Sequence, residues 1–307
     1  MLEAGAHEAG VMTAGALTMP DALPVQATPG YWGMVGRRLR RDPVTLVFCA
    51  VMLAIVLAAV FAPLVSPFDP YKEGIILRLK PFGFRGHLLG TDELGRDILA
   101  RILYGGRTSL LMGIAPVVFA GLVGGALGVL AGYAGGWVGT LVMRTMDVFY
   151  AFPSVLLAVA ISGAMGGGML NGMIALALVF IPAVCRVAET ATTQVRNLDF
   201  VEAARATGAG HGMIVRYHLL GNVLAPVLVY ASSLVSVSIL LASGLSFLGL
   251  GVRPPIPDWG LMLSTLRQAI YVQPWVCAVP GAAIFVTSMC FNLVSDGLRS
   301  AMDVRLK

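Results

Sequence analysis

What most constrains this chain is a long run without a single charge. Residues 148–185 include no Asp, Glu, Lys or Arg over 38 positions. As one helix that run would be roughly 57 Å long, nearly twice the hydrocarbon thickness of a bilayer. It must double back. Gly166-Gly167-Gly168 lies near its midpoint, and a glycine triplet is where a helix is weakest and a tight turn easiest. Four more uncharged windows, 43–68, 108–143, 217–252 and 268–295, each exceed the roughly 20 residues a span requires. With each counted as one span, the chain is predicted to be an all-α polytopic membrane protein with six transmembrane helices. A composition that is 57% hydrophobic and 12% charged leaves too little polar surface to coat a soluble domain.

The segments between the windows set an orientation. Arg37, Arg38, Arg40 and Arg41 stand just before the first window and are expected to hold that end in the cytoplasm, so six spans place both termini there. Twelve of the 21 Lys and Arg residues then lie inside; seven of the nine outside fall within 72–107, a loop long enough to escape a rule calibrated on short connectors. Within that loop, 90–111 is predicted to form an interfacial helix. Thr91 or Asp92 would cap it, and Ile98, Ile102 and Leu103 would lie on the membrane surface. Residues 1–36 have acids before any basic residue and no apolar h-region, so they read as a mobile cytoplasmic tail rather than a signal peptide. The remaining divisions are 37–107 for the first span and its loop, 108–296 for a five-helix core, and 297–307 for a cytoplasmic tail. Cys49, Cys185, Cys277 and Cys290 have neither metal-ligand nor redox spacing and read as buried apolar residues. His7, His87, His211 and His218 are too dispersed for a metal site, and solvated polar roles are expected for them. Trp259 and Trp275 are expected in an aromatic belt.

The cytoplasmic loop 186–222 contains "DFVEAARATGAG", beginning at Asp199. Asp199 is predicted to cap a two-turn helix, with Glu202 three residues on in capping-box spacing and Gly208 stopping it in the left-handed region. Phe200, Ala203, Ala204 and Thr207 share a narrow face small enough to enter a groove on another protein; an ordinary surface helix is the competing reading. A second short helix is expected over 213–220. Gly124, Gly128, Gly132 and Gly136 recur every fourth residue and predict a flat helix-packing seam, within the subunit or against a partner. Pro116, Pro153, Pro182, Pro226 and Pro280 put one proline in each of spans two to six, as structural bends or hinges. Ser232, Ser236 and Ser243 fall on one helical face and either line a translocation path or bond between helices.

The loop resembles the cytoplasmic signature of the permease subunits of ATP-binding-cassette importers. Glu202-Ala203-Ala204 and Gly208 match at the family's spacing and Leu220 falls on the family's Leu, whereas Gly221 stands where the family has Pro. Within that family "GTDELGRDILARILYGGRTSL", "LSFLGLGVRPPIPDWGLML" and "FNLVSDGLRSAMDVRLK" are similar to stretches of the dipeptide/oligopeptide/nickel group. The resemblance covers most of the chain from about Arg37 onward. It implies a type I importer permease fold in the bacterial inner membrane, with Asp199, Glu202, Ala203, Ala204 and Gly208 docking into an ATP-hydrolysing subunit. It also implies a second permease subunit as heterodimer partner, two ATP-binding subunits, an extracytoplasmic substrate-binding protein, and peptides or nickel chelates as cargo. ATP and Mg would be used by the partners, with no cofactor or metal bound by this chain and no nucleic acid involved.

The residues agree with a passive, partner-driven transporter. Lys72, Lys80 and Lys307 are the only lysines, and none stands in a phosphate-binding glycine loop. An ion-coupled carrier or channel, the main alternative, is expected to hold an ionisable group at membrane depth, and the five windows contain no Asp, Glu, Lys or Arg. A membrane-embedded enzyme is disfavoured because no window pairs His, Asp, Glu or Cys at catalytic spacing.

Overall fold

The computed structural model describes residues 31–302, and the expectations for 1–30 and 303–307 lie outside that range. In chain order the helices are α1 (Tyr31–Leu39), α2 (Pro43–Val60), α3 (Ala62–Val65), α4 (Ile98–Ala134), α5 (Gly136–Tyr150), α6 (Ser154–Ala164), α7 (Met169–Arg196), α8 (Asp199–Ala206), α9 (His211–Met213), α10 (Leu220–Phe247), α11 (Trp259–Thr265) and α12 (Pro274–Met302). Five stretches are long and apolar enough to cross a membrane: α2, α4, α7, His211–Phe247 and α12. α5 and α6 pass the same test only as a pair, bent by 88° at residues 151–153, which makes them a broken sixth span or a re-entrant loop.

The uncharged 38-residue run doubles back at the glycine triplet. Gly166, Gly167 and Gly168 all have positive φ (84°, 68° and 102°), a conformation that costs glycine little. The turn is fastened from two sides. The Gly168 amide donates to Leu250 O at 3.1 Å, and the Asn171 amide donates to Met165 O and Gly167 O, both at 2.8 Å.

α4 differs from expectation at its start. No separate interfacial helix precedes the second span: Ile98, Ile102 and Leu103 are the first turns of a single 37-residue helix. At 1.5 Å per residue α4 is about 55 Å long, so its charged first turns extend past the roughly 30 Å hydrocarbon core. A boundary at 107/108 therefore falls inside a helix. Its cap is Asp97, whose carboxylate accepts from the Ala100 amide at 2.7 Å, rather than Thr91 or Asp92. Ile98 is fully buried against Met262 and Leu266, and α11 therefore occupies the place the membrane surface was expected to take.

Residues 31–36 are also not tail. They belong to α1, whose Val35 packs against Val229, Ala301 and Met302. Pro116, Pro182, Pro226 and Pro280 sit inside continuous helices, and only Pro153 lies at a break. The helix also runs on through Gly221, where the family resemblance led one to look for proline.

The expected seam is present and internal. A methyl group on Gly124 would stand 2.7 Å from Ile181 O, and one on Gly132 would stand 2.8 Å from Glu189 O. α4 and α7 therefore touch backbone to backbone over Gly124, Gly128 and Gly132, where small residues permit close approach. Gly136 is not part of it. It lies beyond the end of α4 at φ 50° with open space around it, in the turn where α5 departs. Arg196 of α7 donates to Gly132 O at 2.8 Å, satisfying a carbonyl that the last turn of α4 leaves without a helical partner.

Candidate docking surface

α8 lies at the end of the molecule where the α4–α7 seam finishes. Its first residue is Asp199 and its cap is Leu198, with no side-chain cap bond. The expected capping box is therefore not formed. Asp199 and Glu202 instead both sit in the first turn and Arg205 in the last, the charge order that complements the helix dipole. Termination follows the sequence reading. Gly208 has φ 84°, the Ala209 amide donates to Ala204 O at 3.0 Å, and the Gly208 amide donates to Arg205 O at 3.0 Å. This pair of bonds is a Schellman stop, which requires the left-handed residue that glycine supplies most easily.

One side chain anchors the helix. Val201 is completely buried with Ile214 and Leu219, backed by Tyr133, Val195, Ala209 and Val215. Tyr133 and Val195 are the last turns of α4 and α7, so α8 rests on the end of the seam itself. The Tyr133 hydroxyl bonds His211 Nδ1 at 2.6 Å, and the Arg205 guanidinium lies 5.8 Å from the Tyr133 ring. The expected second helix appears as α9 running through a π-helical stretch, Ile214–Leu219, directly into α10.

With Val201 turned inward, Phe200, Ala203 and Thr207 are exposed and Ala204 is half-buried. This is the face anticipated from spacing. Its alanines let another backbone approach, Phe200 offers an apolar anchor, and the exposed Glu202 offers a carboxylate to a basic partner. Val201 and the Tyr133–His211 contact were not identified from sequence. Tyr133 and His211 are 78 residues apart, and no local pattern links them.

Within this chain the serine face makes polar contacts and is partly buried. Ser232 and Ser233 both bond Ser295 of α12, at 2.8 and 2.6 Å. Ser236 is buried and donates to Ser233 O at 2.8 Å, and Ser243 is buried where Gly260 packs against its backbone. Ser232 and Ser243 thus meet α12 and α11, and Ser236 bonds within α10.

The opposite end of the molecule is built differently. Buried Asp92 accepts from Arg96 Nε at 2.7 Å and lies 3.5 Å from Arg101 Nε. His87, expected to be solvated, is instead buried at 2.8 Å from Asp97, with Phe68 stacked on its ring at 4.3 Å. Asp258 caps α11 and accepts from Ser109 Oγ at 2.6 Å and the Leu261 amide at 3.1 Å. Burial pushes its carboxyl above the usual carboxylate range. Trp259 is no belt residue, being buried with its indole donating to Ile102 O at 2.9 Å, whereas Trp275 is exposed. All four cysteines are free, three of them buried.

Comparison with known proteins agrees with this architecture. Residues 124–307 match the family described as binding-protein-dependent transport system inner membrane component, and residues 30–81 match the N-terminal TM domain of oligopeptide transport permease C. A di/tripeptide transport system permease protein, DppC, of Pseudomonas aeruginosa is 44% identical over 83% of this chain and 86% of its own length. A glutathione transport system permease protein, GsiD, of Pectobacterium atrosepticum is 40% identical over 90% of this chain and 92% of its own. The probable D,D-dipeptide transport system permease protein DdpC of Escherichia coli is 37% identical over 86% and 89%. Among solved structures, a chain of the MetNI methionine ABC transporter in an inward-facing conformation superposes with a TM-score of 0.53 at 19% identity, over 66% of this chain and 96% of that one. Family, fold and membrane-spanning helices thus coincide, and the chain belongs to the inner-membrane permease components of binding-protein-dependent ABC transport systems.

Proposed function

We propose that this chain forms half of a heterodimeric permease that imports short peptides, driven by two ATP-hydrolysing subunits that dock on α8. The observation that carries the reading is the placement of α8: a helix with an exposed small-residue face, seated through Val201 on the end of the α4–α7 seam. Because that seam is backbone against backbone, a push on α8 moves α4 and α7 together instead of being absorbed by side chains. Closure of the partner ATPases on ATP then tilts the core between inward- and outward-facing states. ATP and Mg belong to those partners, and this chain has no ATPase site of its own. Arg37, Arg38, Arg40 and Arg41 follow Val35, which packs against Val229 in the first half of α10 and Met302 at the end of α12, and support a cytoplasmic placement of that end. The opposite end then meets an extracytoplasmic substrate-binding protein.

Peptide cargo is supported by the relatives, named for di/tripeptides, D,D-dipeptides and glutathione. The test is Glu202→Lys in the assembled importer. The side chain is exposed, so insertion and yield should stay normal while peptide-stimulated ATP hydrolysis and uptake fall together. Unchanged uptake would refute the role given to α8.

A further inference from the structure

Ser232 bonds Ser295, and Ser236 and Ser243 are buried; the surface at the α5–α6 bend, by contrast, is open. Between α5 and α6, residues 151–153 are exposed, and so are Tyr150 and Ser154 on either side. Behind them, at a recess of about 260 Å³, stand Phe149, Phe180, Pro182 and Tyr230. Pro182 lies 13 residues into α7, about 20 Å along it, well within the hydrocarbon thickness. Ala183, the next residue, also lines the recess.

Two features of this place are incompatible with lipid. Backbone polar groups at membrane depth need a partner or water. The Ala151 and Phe152 amides donate to Asp147 O and Phe149 O, but α6 starts at the exposed Ser154 with no side-chain cap, which leaves the amides of its first turn to water. One helical turn further along α7, Arg186 donates to Asp147 at 2.6 Å, with side chains 47% and 43% exposed. The same guanidinium lies 4.9 Å from the Tyr150 ring, and Tyr150 and Tyr230 both line the recess. A half-exposed ion pair beside an uncapped helix start and two phenols is a polar surface that suits water rather than lipid. The outer faces of α2 and of the middle of α4, by contrast, present Leu46, Val47, Leu53, Val118, Phe119 and Leu122.

We infer that the recess at the α5–α6 break is this chain's wall of the water-filled route, and that Asp147 and Arg186 meet the charged ends of a passing peptide. The first half stands without the peptide reading; the second rests on it. Each end of a zwitterionic peptide finds an opposite charge here, and exchanging one ion pair for another keeps both side chains paired throughout.

The experiment uses the whole importer in proteoliposomes, with the four native cysteines replaced. Phe152→Cys should react with a membrane-impermeant thiosulfonate at least about tenfold faster than Leu53→Cys on α2, because reaction requires thiolate in water. Equal rates would overturn the aqueous wall. Arg186→Gln should then lower maximal peptide uptake about tenfold, the scale of one charge-assisted contact, with ligand-stimulated ATP hydrolysis kept within about twofold. Arg186→Lys should recover part of the uptake. Uptake that is unchanged, or that falls in parallel with ATP hydrolysis, would overturn the role of the pair. If the unsubstituted importer moves no peptide while Phe152→Cys still reacts, the peptide reading fails and the aqueous wall stands.

Discussion

The two ends of this molecule solve the same problem, holding helices outside an apolar bundle, by opposite means. At the end bearing Asp92 and Asp258 the connecting segments are locked by buried charge: Asp92 between Arg96 and Arg101, Asp97 against His87, Asp258 against Ser109. At the end bearing α8, a small apolar cluster around Val201 holds one short helix, and its acidic residues remain in solvent. Removing one member of a buried polar set leaves its partners unpaired and is expensive; changing an exposed residue on α8 costs little. The first arrangement suits a rigid cover and the second the docking surface proposed for α8. The α4–α7 seam over Gly124, Gly128 and Gly132 lies next to the second of these ends.

The contrast can be broken most directly at the seam. Gly128→Leu places a side chain against the Ala188 methyl, 2.6 Å from its Cβ, and 2.9 Å from the Glu189 amide. Neither can yield without moving α7, so no monodisperse protein is expected on size exclusion, whereas Gly121→Ala on the same helix, with open space around it, should behave normally. A tolerated Gly128→Leu would mean the seam is not rigid. Next in size is Asp92→Ala, which takes the shared carboxylate from two buried guanidinium groups, leaving Arg96 with Glu93 and Arg101 with the Pro70 carbonyl, and is expected to cost about 3 kcal/mol, read as a lowered thermal unfolding midpoint.

Asp258 sharpens the comparison through pH. Its carboxyl is buried among uncharged donors and its pKa is raised, so the folded state favours the protonated form. Its contribution to stability is therefore greatest below the ordinary carboxylate range and is lost as pH rises through the raised folded value. Asp258→Asn keeps a capping oxygen and a donor for Ser109, so it should flatten that slope at little cost. Asp258→Ala should cost about 1–3 kcal/mol by orphaning Ser109 and the Leu261 amide. A pH slope unchanged in Asp258→Asn would show that another group titrates.

Features set by local pattern were legible in sequence. Uncharged windows marked the spans, Gly166 to Gly168 marked the reversal, the four-residue glycine period marked the seam, and Gly208 marked the end of α8. Features set by distant partners were not. Asp258 meets Ser109 across 149 residues, and nothing near either position announces it. Ile98 and Ile102 looked interfacial because a helix seen alone cannot reveal that α11 covers it. The α5–α6 break was hidden because Pro153 occurs in a charge-free run where proline is often tolerated. Asp199 was misassigned as a cap because the helix begins one residue earlier than its acids suggest.

The central claim, that α8 is the handle by which a separate motor moves the core, is tested most directly by photocrosslinking from Ala203 in the intact importer. A benzophenone side chain at that position is expected to capture an ATP-hydrolysing subunit, with a yield that changes on ATP binding. The same group placed at Ile256, exposed at the opposite end, should capture none. Failure of Ala203 to capture the ATPase subunit, or equal capture from Ile256, would contradict the account.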